Sequence, residues 1–302
     1  MRGKKFYILL ASLLILTLAF TGCGNGSDTA GGKDKIVVGS KNFNENIVLG
    51  ELMAQLIEAK TDLQVERKLN LGGTLVCFQA LKKGDLDVYA DYTGTGLMAV
   101  LNLPVETDPD KVYEIVQKEY NQQHHIKWLE PLGFNNTYAI AVRQETAKEN
   151  NLKKVSDLAL LSQPLIFGTD QEFINREDGL KGLKEAYNIS FAKEQAMEIA
   201  LRYQAIANKN ISVTNAFATD GELIKYNLVL LEDDKNFFPP YYCAPTVNMN
   251  TLEKHPELEE VLNQLAGQIS DEEMQQLNYQ TAVEGRSEAE VAKEFLQSKG
   301  LI

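Results

Sequence analysis

Basic side chains are in short supply in this chain: 30 lysines and arginines stand against 42 aspartates and glutamates, a net charge of −12. A protein this acidic lacks the clustered Lys and Arg that nucleic acid requires. Its acids are dispersed over helical stretches, as in Asp271-Glu272-Glu273, where a solvated surface is the default reading. Histidine is scarcer still, with 3 residues. His124 and His125 are neighbours and point apart on regular structure, His255 is remote in sequence, and none has metal-ligand spacing. No P-loop, no G-x-S-x-G elbow and no evident Cys–His pair occurs, so catalysis and cofactors leave no trace. Beyond the N-terminus no apolar run is long enough to cross a bilayer, which needs about 20 residues. Gly94, Gly96 and Ala99 match G-x-G-x-x-A, but the pattern alone is weak and comes late in the chain, so a dinucleotide site is not expected.

What is present begins with the first residues. Arg2, Lys4 and Lys5 precede an apolar run from Phe6 to Phe20, and Thr21 and Gly22 lead into Cys23. A basic head, a short apolar middle and small residues at a cut site describe an export signal, and the string Phe-Thr-Gly-Cys resembles a bacterial lipobox. Residues 1–22 are expected to be a lipoprotein signal peptide and Cys23 the lipid-bearing residue, which anchors the protein on the extracytoplasmic face of the membrane. Residues 23–35 are glycine-rich and polar without aromatics, a flexible tether. Outside the cytoplasm a Cys77–Cys243 disulfide is permitted. Two separate buried thiols satisfy the sequence as well.

From Ile36 strands alternate with helices. Ile36–Gly39, Leu63–Leu69 and Leu86–Tyr92 read as strands; the apolar positions Ile47, Leu49, Leu52, Met53, Leu56 and Ile57, and the segment Thr74–Lys83, read as helices. Asn42 with Glu45, or Asn44 alone, is expected to cap the first helix. Tyr138–Val142, Leu165–Gly168 and Leu228–Leu231 read as further strands, with helices near Leu180–Tyr187 and Ala196–Asn208. Leu258–Ile269, Glu272–Tyr279 and Glu288–Lys299 form a helical tail. This alternation predicts an α/β fold with largely parallel sheets. It is divided into two lobes, residues 36–134 with 245–302 and residues 135–244. Lys41, Tyr92 and Thr95 fall just past strand ends, where pockets of open α/β sheets lie.

Six strings occur in order: GSKNF (39–43), YTGTG (92–96), NNTYA (135–139), REDG (176–179), ATDG (218–221) and FFPPYY (237–242). Together they resemble the substrate-binding proteins of osmoprotectant ABC transporters, over nearly all of the chain from Ile36. The resemblance implies a two-lobed, type II periplasmic-binding-protein-like flytrap that is not an enzyme. It would close around glycine betaine, carnitine, choline or a similar compound and deliver it to a permease driven by a cytoplasmic ATPase.

By the same resemblance Tyr92, Tyr138, Phe217 and Tyr241 form an aromatic cage, because a methylated ammonium has no N–H to donate and is held by ring faces. Phe217 departs from the family's usual tyrosine. Lys41, Thr95 and Arg176 match the half that holds a carboxylate, where an arginine grips bidentately. Choline-restricted relatives carry an acid where Thr95 stands, so a neutral threonine fits a zwitterion. ADYTGTG and the GSKNF…ENIVLGEL opening are also similar to ergothioneine-binding members. A sensory or surface lipoprotein and an extracytoplasmic enzyme are the readings from other classes.

Overall fold

The β-branched run after the tether forms β1 (Lys35–Lys41), which starts one residue before the expected Ile36. The structure is a computed structural model and describes residues 34–161, 165–175 and 179–302. The expected signal peptide, Cys23 and the tether to residue 33 lie outside the described residues, and so does Arg176. Residues Asp34–Ile302 form one unit built on two five-stranded sheets.

The first sheet has the order β2-β1-β3-β10-β4, where β2 is Gln64–Gly72, β3 Val88–Tyr92, β4 Ile126–Trp128 and β10 Cys243–Asn248. β1 runs parallel to β2 and β3, and β10 is antiparallel to β3 and β4. The second sheet repeats the plan as β7-β6-β8-β5-β9, from β5 (Tyr138–Arg143), β6 (Ile166–Thr169), β7 (Lys193–Ala196), β8 (Val213–Phe217) and β9 (Leu228–Leu231). Here β5 is the antiparallel strand, between β8 and β9. In each sheet, then, the antiparallel strand is the one that arrives from the other lobe.

The two connections between lobes run side by side. Asn135 and Tyr242 form an antiparallel bridge. The Asn136 amide donates to the Tyr241 carbonyl at 3.2 Å, and the Thr137 hydroxyl to the Pro239 carbonyl at 2.8 Å. Pro239 and Pro240 hold their own φ near −65°, so this double connection is stiff locally.

Helices cover both faces of each sheet, as a mostly parallel sheet requires. Against the first sheet, α1 (Asn44–Lys60) buries Leu49, Leu52 and Leu56 in one core with Val38, Val291 and Leu296. The last two come from the C-terminal helix Glu288–Ser298, so the tail completes the first lobe. On the opposite face Phe78, Tyr120 and Trp128 make a second, aromatic core, to which His124 adds its ring edge-on. The expected cap of α1 is different: Phe43 occupies the N-cap with extended backbone and no side-chain bond. Asn46 and Glu45 are committed elsewhere, Asn46 accepting from the Lys41 amide at 2.6 Å and Glu45 to the cleft described below. Cys77 and Cys243 are separate buried thiols. Among the described residues no helix is long and apolar enough to cross a membrane.

Leu52, fully buried, and Leu75, 59% exposed, give a direct check of this packing. Leu52→Ala lowers unfolding free energy in urea by about 2–5 kcal/mol, whereas Leu75→Ala shifts it by less than about 0.5 kcal/mol. Equal effects would contradict the assigned core.

Candidate functional site

The parallel strands of both sheets end on the same side as the antiparallel strands begin. That geometry brings the ends of β1, β3 and β8 and the start of β5 to a common space, with the double connection as its floor. The result is a cavity of about 1020 Å³ between the lobes. Its wall includes Lys41, Tyr92 and Thr95 from the first lobe, Tyr138 and Phe217 from the second, and Tyr241 from the connection. Six of the seven residues expected at the site thus share one hollow, and the seventh, Arg176, lies outside the described residues.

Tyr138 and Phe217 are paired directly across β5 and β8, and their rings stack at 4.8 Å between centroids with 26° between planes. Phe173 tilts against Tyr138 at 5.2 Å and fixes it from behind. Tyr92 ends β3 with only 4% of its surface exposed, and its hydroxyl donates to Glu45 at 2.7 Å. Gly94 explains how Tyr241 comes so close. A Cβ at position 94 would lie 2.6 Å from the Pro240 carbonyl oxygen and 2.9 Å from the Tyr241 ring, so only glycine admits the connection here. The glycines of YTGTG serve packing and not a phosphate.

Lys41 is neither a surface charge nor an uncompensated one. Its ammonium is buried, 2.5 Å from Asp91 and 4.9 Å from the centroid of the Tyr92 ring. Asp91 also accepts from the Tyr89 hydroxyl at 2.7 Å and the Tyr92 amide at 2.8 Å. The cation expected to hold a ligand carboxylate therefore already has a buried counter-charge.

A second cation, which the sequence reading passed over, is Arg202 in the helix Ile199–Ala207. It lines the cavity at 1% exposure, 3.2 Å from Asp170 and 3.5 Å from Asp220, with its guanidinium 6.0 Å from the centroid of Phe217. Among the described residues its Nε has no hydrogen-bond partner. The signal was there: a lone arginine inside the apolar run Ile199-Ala200-Leu201-Arg202-Tyr203.

Glu45 was also read only as a cap. Burial pushes its carboxyl above the usual range, opposed by hydrogen bonds from Thr219, Tyr92, Asn278 and Asn136. Burial likewise raises Asp220, opposed by Arg202. Among the described residues no group of His, Cys, Asp or Glu is arranged to hold a metal ion. Burial lifts the Cys77 thiol to about 11, so at neutral pH it is not a thiolate nucleophile.

Two α/β lobes joined by a double connection, with a cleft lined from both, define the class of two-lobed solute-binding proteins. Within it, the chain belongs to the family of substrate-binding domains of ABC-type glycine betaine transport systems, which it matches over residues 34–298. It is 41% identical over 298 residues to the carnitine transport binding protein OpuCC of Listeria monocytogenes serotype 1/2a (strain 10403S), covering 97% of each chain. It is 38% identical over 267 residues to the ergothioneine transport permease/ergothioneine binding protein EgtU of Helicobacter pylori (strain G27), covering 88% of this chain and 48% of that one. A crystal structure of a glycine betaine/carnitine/choline ABC transporter component superposes with a TM-score of 0.85 at 34% identity, over 88% of this chain and 99% of that one.

The Lys41–Asp91 pair carries a stability prediction. Lys41→Met strands a buried carboxylate and costs about 3–5 kcal/mol of unfolding free energy. Lys41→Met with Asp91→Asn recovers part of the loss, since no orphaned charge remains. Urea titration decides; an unchanged midpoint for Lys41→Met would mean the pair is solvated.

Proposed function

We propose that this protein captures a quaternary-ammonium zwitterion, such as glycine betaine, carnitine or ergothioneine, and delivers it to an ABC permease coupled to a cytoplasmic ATPase. One observation carries the reading: four aromatic rings, Tyr92, Tyr138, Phe217 and Tyr241, drawn from both lobes and their connection, line a single cavity. A trimethylammonium cannot be hydrogen-bonded, and each desolvated ring attracts it by roughly 0.5–2 kcal/mol. The relatives named for carnitine and ergothioneine both have ligands of this chemistry.

The carboxylate end needs donors. Thr95 on the first lobe and Arg176 are proposed for it from the family resemblance. Lys41 contributes less than a bare cation would, because Asp91 already pairs with it. Arg202 joins the set as a buried cation in the cavity wall. Because rings and donors come from both lobes, a bound ligand favours the closed form by its differential affinity for that form. The basic, apolar and small-residue pattern ending at Cys23 supports a lipid anchor on the extracytoplasmic face.

Titration calorimetry across glycine betaine, carnitine, choline and ergothioneine tests the reading. Tyr92→Ala and Arg176→Ala are each expected to weaken the best ligand at least tenfold, about 1.4 kcal/mol. Unchanged affinity in both variants, or no heat with any of the four compounds, would reject the site. The anchor is tested separately: Cys23→Ser should move the protein from the membrane to the soluble fraction of host cells, and continued sedimentation with membranes would exclude acylation as the attachment.

A further inference from the structure

The buried charges around the cleft do not balance. Among the described residues Lys41 is offset by Asp91, and Arg202 faces Asp170 and Asp220. Glu45 has no basic partner among them at all. Each of its oxygens instead accepts two bonds from neutral groups: Oε1 from the Tyr92 hydroxyl at 2.7 Å and the Asn136 amide at 2.9 Å, Oε2 from the Thr219 hydroxyl at 2.6 Å and the Asn278 amide at 2.8 Å. Glu45 is 4% exposed and lies in the cavity wall. A carboxylate taken out of water without a cation is costly; burial pushes this one above the usual range while its four donors oppose the rise, so a cation bound in the cavity would favour its ionised form.

The four donors also have a pattern. Tyr92 and Asn278 belong to the first lobe. Asn136 lies on the connection into β5, and Thr219 just past the end of β8 in the second lobe. Asn278 reinforces the junction by donating to the Thr219 carbonyl at 2.8 Å, as Gln275 does to the Ala218 carbonyl at 2.7 Å. Glu45 therefore holds one ring of the cage by its hydroxyl while joining the lobes beneath it. A phenol that donates to a carboxylate has a more electron-rich ring, and the same carboxylate contributes its charge to the cavity directly.

We infer that Glu45 is the cation-selecting residue of the cleft, a positioning residue that acts through Tyr92 and distinguishes a permanent positive charge from a neutral group of the same shape. The assignment rests on the quaternary-ammonium reading of the cavity. It goes beyond that reading by placing the source of charge discrimination in an anion behind the rings and not in the ring faces alone.

The test compares each ligand with its carbon isostere: glycine betaine with 3,3-dimethylbutanoate, and carnitine with 3-hydroxy-5,5-dimethylhexanoate. Shape and carboxylate are retained and only the ammonium charge is lost. Affinities are measured by calorimetry, with weak isosteres read by displacement, for the wild type, Glu45→Gln and Tyr92→Phe. The wild type should prefer the cation, Glu45→Gln should reduce that preference at least tenfold by weakening the cation alone, and Tyr92→Phe should reduce it in part. A Glu45→Gln protein that keeps the wild-type ratio, or that loses cation and isostere equally, overturns the assignment and leaves the cage standing. Should Glu45→Gln not fold, the ratio in Tyr92→Phe decides, and an unchanged ratio there overturns it. A wild type that binds neither member of either pair overturns this inference, and one that also binds neither choline nor ergothioneine rejects the ligand reading itself.

Discussion

Two strands of chain cross between the lobes, and their hydrogen bonds to one another govern the arrangement of everything above them. Asn135 bridges Tyr242 and its side chain accepts from the Tyr241 amide at 2.7 Å. From this pair the chain runs upward in both directions as the one antiparallel strand of each sheet. Tyr138 and Tyr241 stand at the cavity because they lie close to the crossing, and Tyr92 and Phe217 stand there because parallel strands end where antiparallel ones begin. Cys243 pairs with Tyr92, and Tyr138 with Phe217, across those junctions. Binding at the carboxyl ends of strands is a general property of open α/β sheets. Here two sheets present those ends to one another, so a ligand can be enclosed from two sides with few moving parts.

Electrostatics then separates what the walls do for stability from what they do for recognition. A buried ion pair rarely adds net stability, and its partners are costly to separate. Lys41 with Asp91 is such a pair, so a Lys41 variant that fails to bind has also lost a structural contact. Arg202 is different, because two acids share its guanidinium and, among the described residues, one donor atom has no partner. Perturbed acids gathered in a cleft, as Glu45 and Asp220 are, mark functional sites more often than chance packing does.

The fold was largely legible because it follows from period. Several strands and helices of the first lobe were readable from Val37-Val38 and from the apolar spacing of α1. Four strands escaped, among them β4, Ile126–Trp128, whose three residues are too few to show a period. Val-Thr-Asn-Ala-Phe in β8 carries Thr214 and Asn215, both buried, which read as loop residues until Thr169 donates to the Asn215 side chain and Thr214 to the Asn215 carbonyl. β7, Lys193–Ala196, is mostly exposed and has no apolar face to read. β10 contains Pro245 yet lies between β3 and β4, where a proline is not expected. The helix Pro109–His124 also went unread, although Asp108 caps it and Pro109 opens it in the usual way. For the site, ordered short strings named the rings and the lysine. No string distinguishes Glu45 from a helix cap, because its role depends on donors 47 to 233 residues away.

Phe217 shows how the surrounding charges constrain the cage. A tyrosine at this position would bring a hydroxyl into a region where Tyr203 already donates to Asp220 and Arg202 already faces two acids. An added buried O–H needs its own acceptor or it costs free energy. Phenylalanine keeps the ring face, which stacks on Tyr138 and faces Arg202, without adding that demand. On the proposed reading, cation recognition asks for π surface from the second lobe and for negative charge from the first, where Tyr92 reaches Glu45. The two halves of the proposed cage are therefore unlike: in the second lobe Tyr138 and Phe217 stack on one another, while in the first Tyr92 donates to an acid.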